Sequence, residues 1–186
     1  GRSGSMMTMP GEKLQGAGSW THQYATSANT GSSDDALIRT PLGILWFTDF
    51  NFLMPLRHGR GPSPLFKDGI LVVEGVDGLL GVDGFNGRII WRYEVPGILK
   101  AYNQRHLVGS SATHGNICIG DGSVFVRHEG QCMRIDLKTG KETGKYNMPG
   151  GGIWGYIAYA GGTLFGTRAD TNYVPRSLLL PSNMSN

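Results

Sequence analysis

At 186 residues the chain can form one domain with a sizeable core. Thirty glycines with no collagen-like period place those residues in turns, and a charged fraction of only 17% fits a turn-rich all-β protein. The net charge of +3 is modest and its lysines and arginines are scattered, which argues against a nucleic-acid partner.

In chain order, residues 1–19 read as a linker or a tail left by cloning, polar and rich in glycine, with no apolar centre of a signal peptide. No apolar run anywhere approaches the ~18 residues of a membrane-spanning helix. Residues 20–56 form an opening segment: "SWTHQY", a cluster of turn formers, then a strand-like "LGILWF". In that segment His22 is expected to hydrogen-bond and fix the first strand. Residues 57–96 begin with a basic loop, "RHGRGPSP". They then give three strands, "DGILVVEG", "GLLGVDG" and "GRIIWRYEV", punctuated by Asp-Gly and Asn-Gly turns. Residues 97–115 are a connection, 116–149 a second unit and 150–186 an incomplete third.

The second unit repeats the first. "GDGSVFVRHEGQCMRIDLKTGKETGKYNMPG" aligns with "KDGILVVEGVDGLLGVDGFNGRIIWRYEVPG" at a constant offset of 53 residues, without a gap. Asp121-Gly122 falls on Asp68-Gly69, Asp136 on Asp83 and Gly140 on Gly87. A third copy starts at "YAGGTLFGT" and then degrades. No helical periodicity survives beyond about two turns. Four-stranded units recurring every 40–50 residues or so are the signature of propeller blades. The predicted fold is therefore all-β: a partial, unclosed propeller of about 2.5 to 3 four-stranded antiparallel blades. In each turn the aspartate accepts backbone N–H groups and the glycine takes the left-handed corner. Trp91 then returns over the next sheet.

"GLLGVDGFNGRIIW" and "QCMRIDLKTGKETGKY" resemble the AxDxxTGxxxW repeat of the β-propellers that bind pyrroloquinoline quinone (PQQ). That superfamily includes quinoprotein alcohol dehydrogenases and an outer-membrane assembly lipoprotein. The opening "GSWTHQYATSANTGSS" and "TPLGILWF" is similar to the first segment of a bacterial group of PQQ-binding-like repeat proteins. The repeat residues Asp83, Gly87, Trp91, Asp136 and Gly140 carry the resemblance. The departures are Gly81 and Arg134 where the motif has Ala, Phe85-Asn86 where it has Thr, and Gly144 where the second docking Trp would stand.

The resemblance implies a ligand site on the axial face, where the loops into each innermost strand converge. Aligning the blades on their Asp-Gly turns makes "LRHGRG", "SSATHG" and "GGGIWG" corresponding segments. Arg57, His58, Arg60, His114 and Trp154 become neighbours there: arginine forks for carboxylates, a flat indole and proton-carrying imidazoles. A solvated turn and a core aromatic are the plainer reading of the same residues. The cofactor implied is PQQ with a divalent or lanthanide cation. No catalytic residue is assigned and no metal-ligand set is visible; Asp34, Asp35, Asp77 and Asp170 are isolated along the chain.

Cys118 and Cys132, the only cysteines, have no metal- or haem-binding spacing and read as buried thiols, one disulfide being the alternative. Met148 reads as packing. Three functions stay open: a non-catalytic scaffold or ligand- and protein-binding module, a fragment of a PQQ-dependent alcohol or sugar dehydrogenase, and a polymer- or surface-binding module. The partners expected are the rest of a longer propeller, other copies of the chain, or a small ligand. The resemblance implies a periplasmic or otherwise extracytoplasmic setting.

Overall fold

The computed structural model describes residues 15–54, 62–98 and 116–169. Among these there is no helix, and three separate antiparallel sheets follow one another along the chain. The first comprises β1 (Leu65–Lys67), β2 (Ile70–Glu74), β3 (Gly78–Asp83) and β4 (Ile89–Glu94), paired in chain order. The second repeats it with β5 (Ile117–Gly120), β6 (Ser123–His128), β7 (Gln131–Asp136) and β8 (Glu142–Asn147). The third contains β9 (Ile153–Ala160) and β10 (Thr163–Ala169), joined at the Gly161-Gly162 turn. The partial, open propeller expected from the repeats is the architecture observed.

Alternation along the strands gives each sheet two apolar faces, and neighbouring sheets hide them. Ile70, Val72 and Leu79 of the first sheet meet Ile117, Ile119, Val124, Val126 and Ile135 of the second. The opposite face of the second sheet carries Cys118, Phe125 and Cys132, which meet Trp154 and Ile157 of the third. Both cysteines are buried free thiols, and Met148 packs beside them. Burial raises both thiols, Cys132 to about 12, so neither is a nucleophile at neutral pH.

The two Asp…Gly corners are built alike. Asp83 accepts Phe85 N–H at 2.9 Å, and Asp136 accepts both N–H and Oγ1–H of Thr139 at 2.8 and 2.7 Å. Gly87 and Gly140 then take φ of +76° and +69°, where a side chain would be strained. Asp136→Ala should cost about 1–2 kcal/mol, the loss of two turn-closing bonds at an exposed site; urea denaturation measures it.

Trp91 rises from β4, crosses its own sheet at Gly81 and lands on the corner of the second sheet. Its Nε1 donates to Leu137 O at 2.8 Å, and its ring would lie 2.5 Å from a Cβ placed on Gly140. Trp46 does the same one sheet earlier: Nε1 donates to Gly84 O at 2.8 Å, and its ring meets Gly87. Those acceptors, Gly84 and Leu137, are themselves 53 residues apart. Residues 41–49, read from sequence as containing an outer strand, carry no strand pairing among the described residues, yet Trp46 occupies the docking position such a strand supplies.

The departure at Gly81 has a packing cause. A Cβ on Gly81 would sit 2.0 Å from the Trp91 ring, so the small residue faces the large one across the ladder. The second sheet reverses the pair: Arg134 faces Gly144. Arg134 spreads over Phe125, 5.8 Å from the ring centroid, and donates to Ser123 Oγ at 2.8 Å. At the outer strands, the Tyr93 hydroxyl donates to the Glu142 carboxylate and ties the first sheet to the second.

Candidate functional site

The strands β1, β5 and β9 enter the sheets at one end of the arc, and β2 and β6 leave there. At that end the apolar interfaces give way to polar side chains. Glu74 closes β2, Asn116 precedes β5, Arg127 stands near the end of β6, and Trp154 opens β9. Glu74 and Arg127 are repeat equivalents, again 53 residues apart, so consecutive sheets place an acidic and a basic residue type at the same position.

These residues join the sheets in series. Asn116 Nδ2 donates to Glu74 Oε1 at 3.1 Å, linking the first sheet to the second. Arg127 Nη1 donates to Trp154 O at 3.1 Å, linking the second to the third. Glu74 and Asn116 are each 2% exposed. Burial pushes the Glu74 carboxyl up to about 8, while the Asn116 hydrogen bond and the Arg127 charge pull it down by less. It is therefore mostly protonated at neutral pH. Glu74 Oε2 and Asn116 Oδ1 are buried with no hydrogen-bond partner among the described residues.

Trp154 belongs to this corner, with its indole inside the core formed by Cys118, Phe125, Cys132, Met148 and Ile157 and lying over Gly166. Arg57, His58, Arg60 and His114 lie outside the described residues. Sequence reasoning missed Glu74, Asn116 and Arg127. The signal was an acidic residue ending the apolar run "ILVVE" and a basic one at the equivalent place in "SVFVR".

The same corner tests whether a hard cation, as carried by PQQ enzymes, fits. Ca²⁺ takes about 6–8 oxygen ligands. Glu74 and Asn116 offer two orphaned oxygens, and no group of three or more His, Cys, Asp or Glu converges among the described residues. Those residues do not make such a cage. No helix among them is long and apolar enough to cross a membrane.

No protein-family model matches the sequence, and no curated protein matches it. Among solved structures, a quinohemoprotein alcohol dehydrogenase from Pseudomonas putida HK5 is similar at 19% identity and a TM-score of 0.55, over 82% of this chain and 23% of that one. A europium-containing methanol dehydrogenase is similar at 22% identity and a TM-score of 0.47, over 70% of this chain and 23% of that one. BamB from Moraxella catarrhalis is similar at 12% identity and a TM-score of 0.41, over 58% and 30%. The chain thus spans less than a quarter of the length of the dehydrogenase from Pseudomonas putida HK5. That likeness, with the repeat geometry above, gives the chain a β-propeller fold, as an arc of three successive sheets.

Proposed function

We propose that the arc is a non-catalytic scaffold that binds a small ligand or a protein on the face where its innermost strands begin. The observation that supports this reading is how the buried polar groups there are spent. Glu74, Asn116 and Arg127 bridge one sheet to the next, and the Trp154 indole is packed in the core. In this reading Arg57, His58, Arg60 and His114 supply the ligand contacts, while the Trp154 indole stays packed in the core. The acidic quinone PQQ is the first probe, because its carboxylates suit arginine forks. Replacing Arg57 and His58 together by Ala should weaken PQQ binding at least about tenfold in a calorimetric titration, consistent with loss of a charge-assisted bond. Unchanged affinity in that variant removes the assignment.

The dehydrogenase reading is favoured by the likeness to the Pseudomonas putida enzyme. Dye-linked alcohol oxidation after adding PQQ with Ca²⁺ or a lanthanide decides it. The scaffold reading requires no turnover.

The partner reading rests on a different surface. One side of residues 37–54 packs on the first sheet through Trp46, Phe50 and Phe52. The other side leaves Ile38, Leu42, Ile44, Leu45 and Phe47 exposed, Ile44 and Phe47 by 90% and 91%. Exposed apolar side chains concentrated in one short segment point to a contact. Its occupant is another sheet of the same type, from a longer propeller or from a second copy. The mass in solution separates the two: self-association supports the copy.

A further inference from the structure

Three consecutive residues near the start of the described chain each bind a different sheet. Trp20 exchanges two backbone hydrogen bonds with Phe66 on β1, at 2.8 and 2.7 Å. Thr21 O accepts Ile119 N–H on β5 at 2.9 Å. His22 Nε2 accepts Tyr159 N–H on β9 at 3.0 Å. β1, β5 and β9 are the first strands of the three sheets, so residues 20–22 form a strap across the inner edge of the arc. Gln23 continues it by accepting Ser63 N–H at 2.8 Å.

The hydrogen bonds fix the state of the imidazole. Because Nε2 accepts, the ring proton sits on Nδ1, which lies 2.8 Å from Thr21 Oγ1 and donates to it. His22 is 2% exposed. A second proton, on Nε2, would face the Tyr159 N–H donor with no acceptor between them.

We propose that His22 is a pH-sensitive latch: as the neutral ring it fastens the strap to β9, and as the imidazolium it lets the strap go, while Trp91 keeps the first two sheets joined. The titratable side chains on the strands that the strap binds are Lys67 on β1, Cys118 on β5 and Tyr156 and Tyr159 on β9. Tyr24 lies on the strap's own turn and Arg168 on β10. None is a carboxylate that would stabilise an imidazolium. Burial alone holds the His22 pKa below its usual 6.5. The unfolded or released ring therefore binds a proton more readily than the latched one. The latch is complete above pH 6.5 and is lost as the pH falls through the lower, folded value.

Amide hydrogen exchange on the full chain, read by NMR and corrected for intrinsic rates, tests the latch. Between about pH 7.5 and about pH 5 the Tyr159 amide should lose protection, by up to about tenfold per pH unit below 6.5. Amides of β2 and β6 should keep theirs. His22→Gln offers an amide oxygen to Tyr159 without titrating, and its Tyr159 protection should not depend on pH. An equal loss in His22→Gln, a uniform loss across all sheets, or no loss in the native chain each overturns the proposal. If the variant fails to fold, the imidazole ¹⁵N shifts of the native chain serve instead. Nδ1-protonated neutral His22 should convert to imidazolium together with the loss of Tyr159 protection. Titration of the ring with Tyr159 unmoved overturns the latch equally.

Discussion

Trp91→Ala is expected to lower the unfolding free energy by about 3–5 kcal/mol, measured by urea denaturation. Two effects add. The indole is 6% exposed and fills the space between Gly81 of its own sheet and Gly140 of the next, so truncation leaves a cavity that backbone on both sides holds open. The Leu137 carbonyl also loses its buried donor. Domains are stable by only about 5–15 kcal/mol, so the variant approaches the folding limit. Trp91→Phe keeps most of the ring but not the N–H, and should cost less than half as much. Trp46→Ala should also cost less, because Trp46 is only half-buried against a sheet with one open neighbour. Equal costs for Trp46 and Trp91 would mean that docking between two complete sheets contributes nothing special.

Glu74→Gln should stabilise the protein, and the gain should grow with pH. The folded carboxyl titrates at about 8 against an ordinary 4.5. Between those values the unfolded chain has released its proton and the folded chain has not. The folded state then binds more protons, and stability falls as the pH rises. Below pH 4.5 both states are protonated and the variant should match the native chain. Near pH 8.5 the difference should reach about 2–4 kcal/mol, on the order expected from a shift of that size for a fully buried group. A difference that stays flat with pH would show that Glu74 is already ionised and paired in the folded state. The His22 latch works in the opposite direction, since its contribution rises with pH up to 6.5. Between pH 4.5 and 6.5 the two slopes oppose each other in the native chain, so both single variants are needed to read either.

The repeat was legible because it is local. Asp83, Gly87, Asp136 and Gly140 make their bonds within five residues, and the same turn chemistry at a fixed offset exposes them in the sequence. Trp91 was legible for a similar reason, since a large aromatic ending an outer strand has one place to go. The strap was not: His22 meets Tyr159 across 137 residues through a backbone N–H, which leaves no mark on the residue types involved. Gly81, Arg134 and Gly144 were visible in the sequence only as departures from the motif; the facing pairs Gly81/Trp91 and Arg134/Gly144, each a small residue against a large one, form across the ladder. Glu74 and Arg127 were hidden in apolar strands, where a single charge reads as a strand end rather than as a bridge between sheets.

The claim beneath all of this is that the second sheet lies beside the first with the Trp91 indole seated on its Asp…Gly corner. Nuclear Overhauser contacts of the Trp91 ring test it in solution. The account predicts strong contacts from the ring to the α-protons of Gly140 and Gly81, with an indole N–H that exchanges slowly. A freely exchanging indole with no contact to Gly140 would contradict it.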